Sequence, residues 1–187
     1  MNRLSVMVAS MALSLVPGSV AQNLSTSPDI ATIETTADAS VQNGKLQGTA
    51  EILTAGQPHA FILLRFRIAL IEKWEVGKAV VAMHLAAVEE PPSEILIAGV
   101  SAPWTEGSAQ PPLIRQGSLV KTRKLQNGWL TFELPSEIAL QFASGAAASL
   151  AVITVPGGNP LTVHSHRSGQ FMPYLLVRGK RPVLRKL

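Results

Sequence analysis

The chain has 187 residues, of which 16 are Lys or Arg and 12 are Asp or Glu, so its formal net charge is +4 at pH 7. It contains no cysteine, which excludes a disulfide framework and an anchor attached through a lipid-modified cysteine. The length and the apolar content are those of one domain whose core is large enough to fold without cross-links.

The first 21 residues have the pattern of a cleavable export signal. Arg3 precedes an apolar stretch at residues 4–16, and the small residues at 19–21 form a signal peptidase cleavage site. The stretch is too short to span a bilayer, which takes about 20 apolar residues. We therefore predict a secreted bacterial protein, periplasmic or extracellular, that is not inserted in a membrane. Loss of Arg3 with the signal lowers the charge from +4 to +3.

After a Ser/Thr-rich linker at residues 22–30, short apolar runs alternate with turn signals. Ile138 and Phe142, four apart and followed by Gly145, predict one short helix. The pattern predicts an all-β fold at residues 31–178, a jelly-roll-like antiparallel β-sandwich of two sheets. The predicted strands are 33–41, 61–70, 78–88, 94–100, 119–122, 129–134, 149–155, 161–167 and 174–178.

Residues 179–187 form a basic tail. Such a tail can bind an anionic polymer such as a nucleic acid. A solvated chain terminus has the same composition, however, and export separates the protein from nucleic acids. We therefore predict no nucleic-acid partner.

Period-two alternation assigns the faces of the predicted strands. In strand 61–70, Ile62, Leu64 and Phe66 share the core face, because Arg65 and Arg67 on the other face cannot enter a core unpaired. In strand 129–134 the same pattern turns Trp129, Thr131 and Glu133 outward, and in strand 78–88 it places His84 opposite the core residues.

His164 and His166 are two apart on a predicted strand, a spacing that can bind a transition metal. A third ligand would have to come from His84, Glu133 or Glu106, which the sequence does not place. Most such pairs face solvent or form hydrogen bonds, so we predict no metal and no cofactor. The chain also lacks nucleophile-elbow, zinc-protease and phosphate-loop motifs, and we predict that it is not an enzyme.

Seven segments form a recognisable series along the chain: Asp38-Ala39-Ser40-Val41, Leu64-Arg65-Phe66, 79–85, Trp104-Thr105-Glu106, 132–145, Ser165-His166-Arg167 and 173–177. In this order they resemble the DNRLRE-type (disaggregatase-related) carbohydrate-binding modules, which are secreted β-sandwiches. The resemblance covers roughly residues 33–178. It departs from the family pattern at Arg67 and Glu133, which replace aspartates, and at 165–167, where the acid of a Ser-Arg-Glu segment is missing.

The resemblance implies a non-catalytic module that binds an extracellular or envelope polysaccharide. Arg65, Arg67 and the positive charge favour an acidic, uronate-containing glycan, because guanidinium groups pair with carboxylates. An ion pair between Arg65 and Glu133 is the structural alternative. The predicted ligand-binding residues are Arg65, Arg67, Trp104, Glu106, Glu133, His164, His166 and Tyr174.

Among the aromatic residues, Trp104 is the best candidate to stack on a sugar ring because it lies in a predicted loop, whereas packing is favoured for Trp74 and Trp129. A second interpretation is a structural or adhesive protein of the cell surface or biofilm matrix without a discrete sugar site. Few aromatic residues and the altered acidic positions favour it.

Overall fold

The computed structural model describes residues 28–56, 60–87, 90–114 and 117–182. Within these ranges the fold is all-β with one short helix, α1 (Ser136–Ala143), as predicted, and all strand pairing is antiparallel. The strands are β1 (Asp29–Gln42), β2 (Lys45–Gln47), β3 (Ile52–Ala55), β4 (Phe61–Phe66), β5 (Glu75–His84), β6 (Glu94–Val100), β7 (Ser118–Lys124), β8 (Trp129–Glu133), β9 (Ser149–Thr154), β10 (Leu161–His164) and β11 (Tyr174–Lys180).

Eight strands form one closed, barrel-like sheet in the order β1-β4-β9-β6-β7-β8-β5-β11, and β11 returns to β1. The long β1 makes this closure possible. Its residues 29–34 pair with β11, its later residues pair with β4 on the other edge, and a bulge between Thr35 and Ala37 separates the two parts. The sequence predicts two separate sheets, whereas the structure has one closed sheet, because hydrogen bonding between strands continues without a break round the ring.

The main core fills the interior of this ring with residues from all eight strands. Helix α1 packs at the end where β5 begins, and its Phe142 lies 6.0 Å from Phe66 between ring centroids. At the end where β5 finishes, the two-stranded sheet of β3 and β10 inserts Leu53 and Leu161 into the same core. The two ends of the barrel are thus closed by different elements.

A smaller second core lies on the outside of β1, β4, β9 and β6. There the loop at residues 101–114 covers small side chains with the buried ring of Trp104. Ala37, Ala39, Ala98 and Ala151 leave room for that ring because they project little from the sheet. One stretch of the sheet is consequently buried on both faces.

Several element bounds differ from those that the sequence predicts. Strand β1 begins inside the predicted linker, and β11 runs two residues into the predicted tail. The predicted strand 61–70 ends at Phe66 and continues as a 3-10 helix, Ile68–Leu70. The predicted strand 161–167 ends at His164, and a second 3-10 helix, His166–Phe171, follows.

The predicted export signal at residues 1–21 and the end of the predicted tail, residues 183–187, lie outside the described residues. In the part of the chain that the structure describes, no helix has both the length and the apolar character needed to cross a bilayer.

Candidate functional site

Five rings form a continuous patch on the outer surface, here called the aromatic patch. Tyr174, His84 and Trp129 come from the adjacent strands β11, β5 and β8. His164 at the end of β10 and Phe171 at the end of the second 3-10 helix complete the group. All five are half-buried, so each ring has a neighbour and an exposed part.

His84 is the centre of the aromatic patch. Its ring centroid lies 4.1 Å from that of Phe171, 5.3 Å from that of Trp129 and 5.3 Å from that of His164. Trp129 extends the patch to Tyr174 at 5.1 Å, and His164 and Phe171 stack at 5.1 Å. These spacings are those of mutually packed rings, so the patch is a preorganised surface.

The turn before β8 brings Trp129 beside His84. Gly128 adopts φ +83°, and a Cβ atom at this position would lie only 3.0 Å from His84 Nε2. Only glycine combines this left-handed backbone with such a close approach. The Asn127-Gly128 signal in the sequence therefore marks a turn that also builds the patch.

Basic side chains stand on β11 and β5, two of the strands that carry the rings, and on β7, the neighbour of β8. Arg178 lies opposite Lys78, and Arg123 lies opposite Thr131, all exposed or half-exposed. Lys78 forms an exposed ion pair with Glu133 at 2.8 Å. Along the strands, Arg123 lies opposite the residue two positions from Trp129, Arg178 is four positions from Tyr174, and Lys78 is six positions from His84.

The pKa of His164 lies below the ordinary value of a histidine, first because of burial and then because of the electrostatic effect of the neighbouring His84, while Glu51 acts in the opposite direction. Near neutral pH His164 is therefore an uncharged ring. His84 Nδ1 is buried and has no hydrogen-bond partner among the described residues.

A second group, here called the charged cluster, contains Asp38, Glu106, His166 and Arg167. His166 Nδ1 lies 2.9 Å from Asp38 Oδ1 and 3.6 Å from Glu106 Oε1. The backbone N–H of His166 also donates to Asp38, and Arg167 pairs with the second oxygen of Glu106. The side chain of Asp38 is 0% exposed, and those of Glu106 and His166 are 20% and 21% exposed.

The charged cluster fills a gap in the wall of the barrel. On one edge of β1, β11 pairs with residues 29–34 and β2 with residues 40–42, which leaves residues 35–39 without a strand partner there. Glu106 Oε1 accepts the backbone N–H of Asp38, in this stretch without a strand partner, at 3.3 Å. Side chains thus satisfy backbone groups that a strand satisfies elsewhere.

Burial raises the pKa of Asp38, and the hydrogen bonds and charge of His166 oppose that rise. Asp38 lies opposite Leu64, a residue of the main core, so its carboxylate is on the inner side of the sheet. A carboxylate in that position requires hydrogen-bond donors, and His166 supplies them through its backbone N–H and its ring, whereas the negative charge of Glu106 adds to the rise in the pKa of Asp38. Chemically, the group can hold a charge, orient an imidazole or bind a cation.

Arg65 and Trp104 contact each other and stabilise the fold; Trp104 is buried and Arg65 is half-buried. Trp104 is 4% exposed, and its indole N–H donates to Ser149 Oγ at 3.0 Å. The guanidinium of Arg65 donates to the carbonyl of Trp104 and lies 4.9 Å from its ring centroid. The prediction that Trp104 stacks on a sugar is wrong, because the second core already covers its ring.

The predicted Arg65–Glu133 ion pair is also wrong. Strands β4 and β8 are not neighbours in the ring, and Glu133 pairs with Lys78. Arg67 is exposed and precedes the first 3-10 helix, where its N–H donates to the carbonyl of Glu34 at 3.3 Å.

The eight predicted residues separate into different places. Tyr174 and His164 belong to the aromatic patch, and Glu133 borders it. Glu106 and His166 belong to the charged cluster. His164 and His166 do not lie on one strand as the sequence predicts, because β10 ends between them and the chain enters a 3-10 helix.

Five residues of the two groups are not among the predicted site residues: Asp38, His84, Trp129, Arg167 and Phe171. Period-two alternation already turned Trp129 and His84 outward, so that signal was available. Asp38 and Arg167 lay in segments that suggested the resemblance. Phe171 had no signal, because it ends an irregular 3-10 helix in which Gly169 has φ +57°.

Four of the segments that carry the resemblance meet in space. They are 38–41, 64–66, 104–106 and 165–167, joined by the contacts of Arg65 with Trp104 and by the charged cluster. A scan against protein-family models finds no match, and no curated protein matches the chain. Function therefore rests on the geometry of the two groups.

Proposed function

We propose that this protein is a secreted, non-catalytic module that binds an acidic, uronate-containing polysaccharide through the aromatic patch. The observation that carries the proposal is a run of five contiguous, half-exposed rings on the outer face of β11, β5 and β8. Flat rings stack on the C–H faces of sugars, and they lose little conformational entropy because the patch already orders them.

The charges around the patch support an anionic ligand. Lys78, Arg123 and Arg178 lie on the strands that carry the rings or on the next strand. Two acids also lie on this part of the sheet. Glu34 is on β1, opposite Tyr174, and Glu133 is on β8, where it pairs with Lys78. Arginine can pair bidentately with the carboxylate of a uronate, so stacking and ion pairing would act on different units of one polysaccharide chain.

Arg65 and Trp104 are not part of the proposed contact surface, because Trp104 is buried in the second core and Arg65 is hydrogen-bonded to it. It keeps Tyr174 and His164 from the predicted set and adds Trp129, His84 and Phe171. In this form it agrees with the resemblance to the DNRLRE-type carbohydrate-binding modules, and that family membership is part of the proposal. The sandwich-like shape of such modules is compatible with a ring whose strands divide between two faces.

The test is isothermal titration of the purified protein with a polyuronate and with a neutral glucan of similar length. We expect saturable binding of the polyuronate that weakens as salt is raised. Trp129→Ala and Tyr174→Ala should each weaken it about tenfold or more, a change of about 1.4 kcal/mol, because each removes a stacking ring.

Leu176→Ala is the matched control. Leu176 follows Tyr174 by two residues on β11 and is 38% exposed, so its truncation removes apolar surface beside the patch without removing a ring. Equal losses in Leu176→Ala and Tyr174→Ala would contradict a stacking site. A native protein that binds neither glycan and self-associates would instead favour the structural or adhesive interpretation.

A further inference from the structure

The charged cluster brings ligand atoms of metal-binding type together from three distant parts of the chain. Asp38 lies on β1, Glu106 in the loop at residues 101–114, and His166 at the start of the second 3-10 helix. One oxygen of each carboxylate and one imidazole nitrogen all lie within 4.8 Å of one another. This meeting depends on the gap in the barrel wall and is independent of the aromatic patch.

The cluster places two carboxylates side by side in a largely buried position. Arg167 pairs with one oxygen of Glu106. His166 Nδ1 faces both acids, at 2.9 Å from Asp38 Oδ1 and 3.6 Å from Glu106 Oε1. Arg167 is the residue of the cluster that carries a permanent positive charge, and it pairs with the outer acid, Glu106. A divalent ion between the three ligand atoms would balance the inner carboxylate.

We propose that Asp38 Oδ1, Glu106 Oε1 and His166 Nδ1 bind one divalent transition-metal ion, with Zn²⁺ the best match. Zinc bonds to histidine nitrogen and carboxylate oxygen are about 2.0–2.2 Å long, so the ligand atoms of a tetrahedral site lie about 3.4 Å apart. The separations of His166 Nδ1 from Asp38 Oδ1, 2.9 Å, and from Glu106 Oε1, 3.6 Å, lie on either side of that value. A small adjustment of the side chains suffices.

The choice of metal follows from the donor set. Calcium takes six to eight oxygen ligands, and magnesium keeps an octahedral shell of oxygens, so a site with two oxygens and one nitrogen suits neither. Imidazole with carboxylate suits zinc and its neighbours among the first-row metals. His166 would bind through Nδ1 with its proton on Nε2, and water would complete the tetrahedron.

In this position the ion has a structural role. It ties β1, the 101–114 loop and the second 3-10 helix at the place where the wall lacks a strand pairing. Since the ion binds only the folded arrangement, it raises the stability of the native state in proportion to its occupancy.

The test uses the purified protein without a histidine tag, after treatment with a chelator. Titration calorimetry should show one Zn²⁺ per chain, and the thermal unfolding midpoint should rise by several degrees with Zn²⁺ but not with Mg²⁺ or Ca²⁺. His166→Gln should abolish both effects. Glu106→Gln, which keeps an oxygen acceptor for the Asp38 N–H, should weaken binding and gives a second variant if His166→Gln does not fold.

His164→Gln is the matched control, because it removes a histidine two residues away that belongs to the aromatic patch and also removes the His84–His164 pair as a competing site. It should keep the stoichiometry of one and the shift in midpoint. If His166→Gln and the native protein respond alike, or if His164→Gln alone abolishes the response, the proposed site is wrong and the cluster is an ion-pair network. Neither result decides whether the aromatic patch binds a polysaccharide, because that proposal rests on different residues and a different measurement.

Discussion

At the scale of single residues, His164 links the aromatic patch to pH. Its pKa is lowered, first by burial and then by His84 on β5, whereas Glu51 before β3 acts in the opposite direction. A folded pKa below the unfolded value of about 6.5 means that the unfolded chain binds the proton more readily. The stability due to the neutral ring is therefore complete above that value. It is lost as pH falls below that value and through the lower pKa of the folded state.

We predict that the thermal unfolding midpoint falls as pH is lowered from 8 to 5 and that His164→Gln makes this decline shallower. Gln keeps a polar side chain of similar size and does not titrate. The measurement is thermal unfolding by circular dichroism over the pH series. An unchanged pH slope in His164→Gln would show that the decline comes from other groups.

Two tryptophans illustrate what residue-level prediction could and could not reach. Alternation along its strand turns Trp129 outward, and its ring is half-buried and packed against His84 and Tyr174. Trp104 was correctly placed in a loop, yet the loop folds back onto the sheet and buries its ring. Exposure of a loop residue depends on what the loop covers, and local sequence carries no information about that.

At the scale of elements, several contacts hold the 101–114 loop against the barrel, and one of them is at Gly48. A Cβ atom at this position would lie 2.3 Å from Glu106 Cβ and 2.6 Å from Glu106 Cα. The carbonyl of Gly48 also accepts from Arg167 at 3.5 Å. The segment after β2 and the loop can pack together only because residue 48 has no side chain.

We predict that Gly48→Ala displaces the loop and lowers the free energy of unfolding by about 1–3 kcal/mol, as overpacking does elsewhere. Limited proteolysis should then cut the loop faster than in the native protein. Gly107→Ala is the control within the same loop, since a Cβ atom there meets no heavy atom within 4 Å. Equal cleavage rates in the two variants would contradict this role for Gly48.

The strands found from the sequence were those with a full period-two pattern, such as β4, β5 and β8. The two missed strands, β2 and β3, have three and four residues, which is too short for alternation to stand out from a loop. The charged cluster was out of reach for a different reason. Its members meet only because β1 changes partners at a bulge, a property of the closed ring and not of any one segment.

At the scale of the whole molecule, closure of the ring depends on β11, which pairs with both β1 and β5. Leu175 on this strand is 0% exposed and lies in the main core, while the next residue, Leu176, is 38% exposed. The two leucines thus lie on opposite faces of the closing strand.

We predict that Leu175→Ala lowers the free energy of unfolding by about 2–5 kcal/mol, because it leaves a cavity in the core at the closure. Leu176→Ala should change it by about 0.5 kcal/mol or less. Urea denaturation measures both. Similar losses in the two variants would mean that β11 does not seal the barrel in the arrangement described.

The pairing of β1 with β11 also sets the order of events when the chain folds. Asp29 lies opposite Gly179, so the contact that completes the ring joins residues far apart in sequence. Contacts of this kind carry a large loop-closure cost and slow the folding of two-state proteins. Strands β4 to β9 can pair as soon as they are available, but the wall stays open along β1 until β11 arrives. A chain halted before residue 174 would keep an unpaired strand edge and a partly uncovered core.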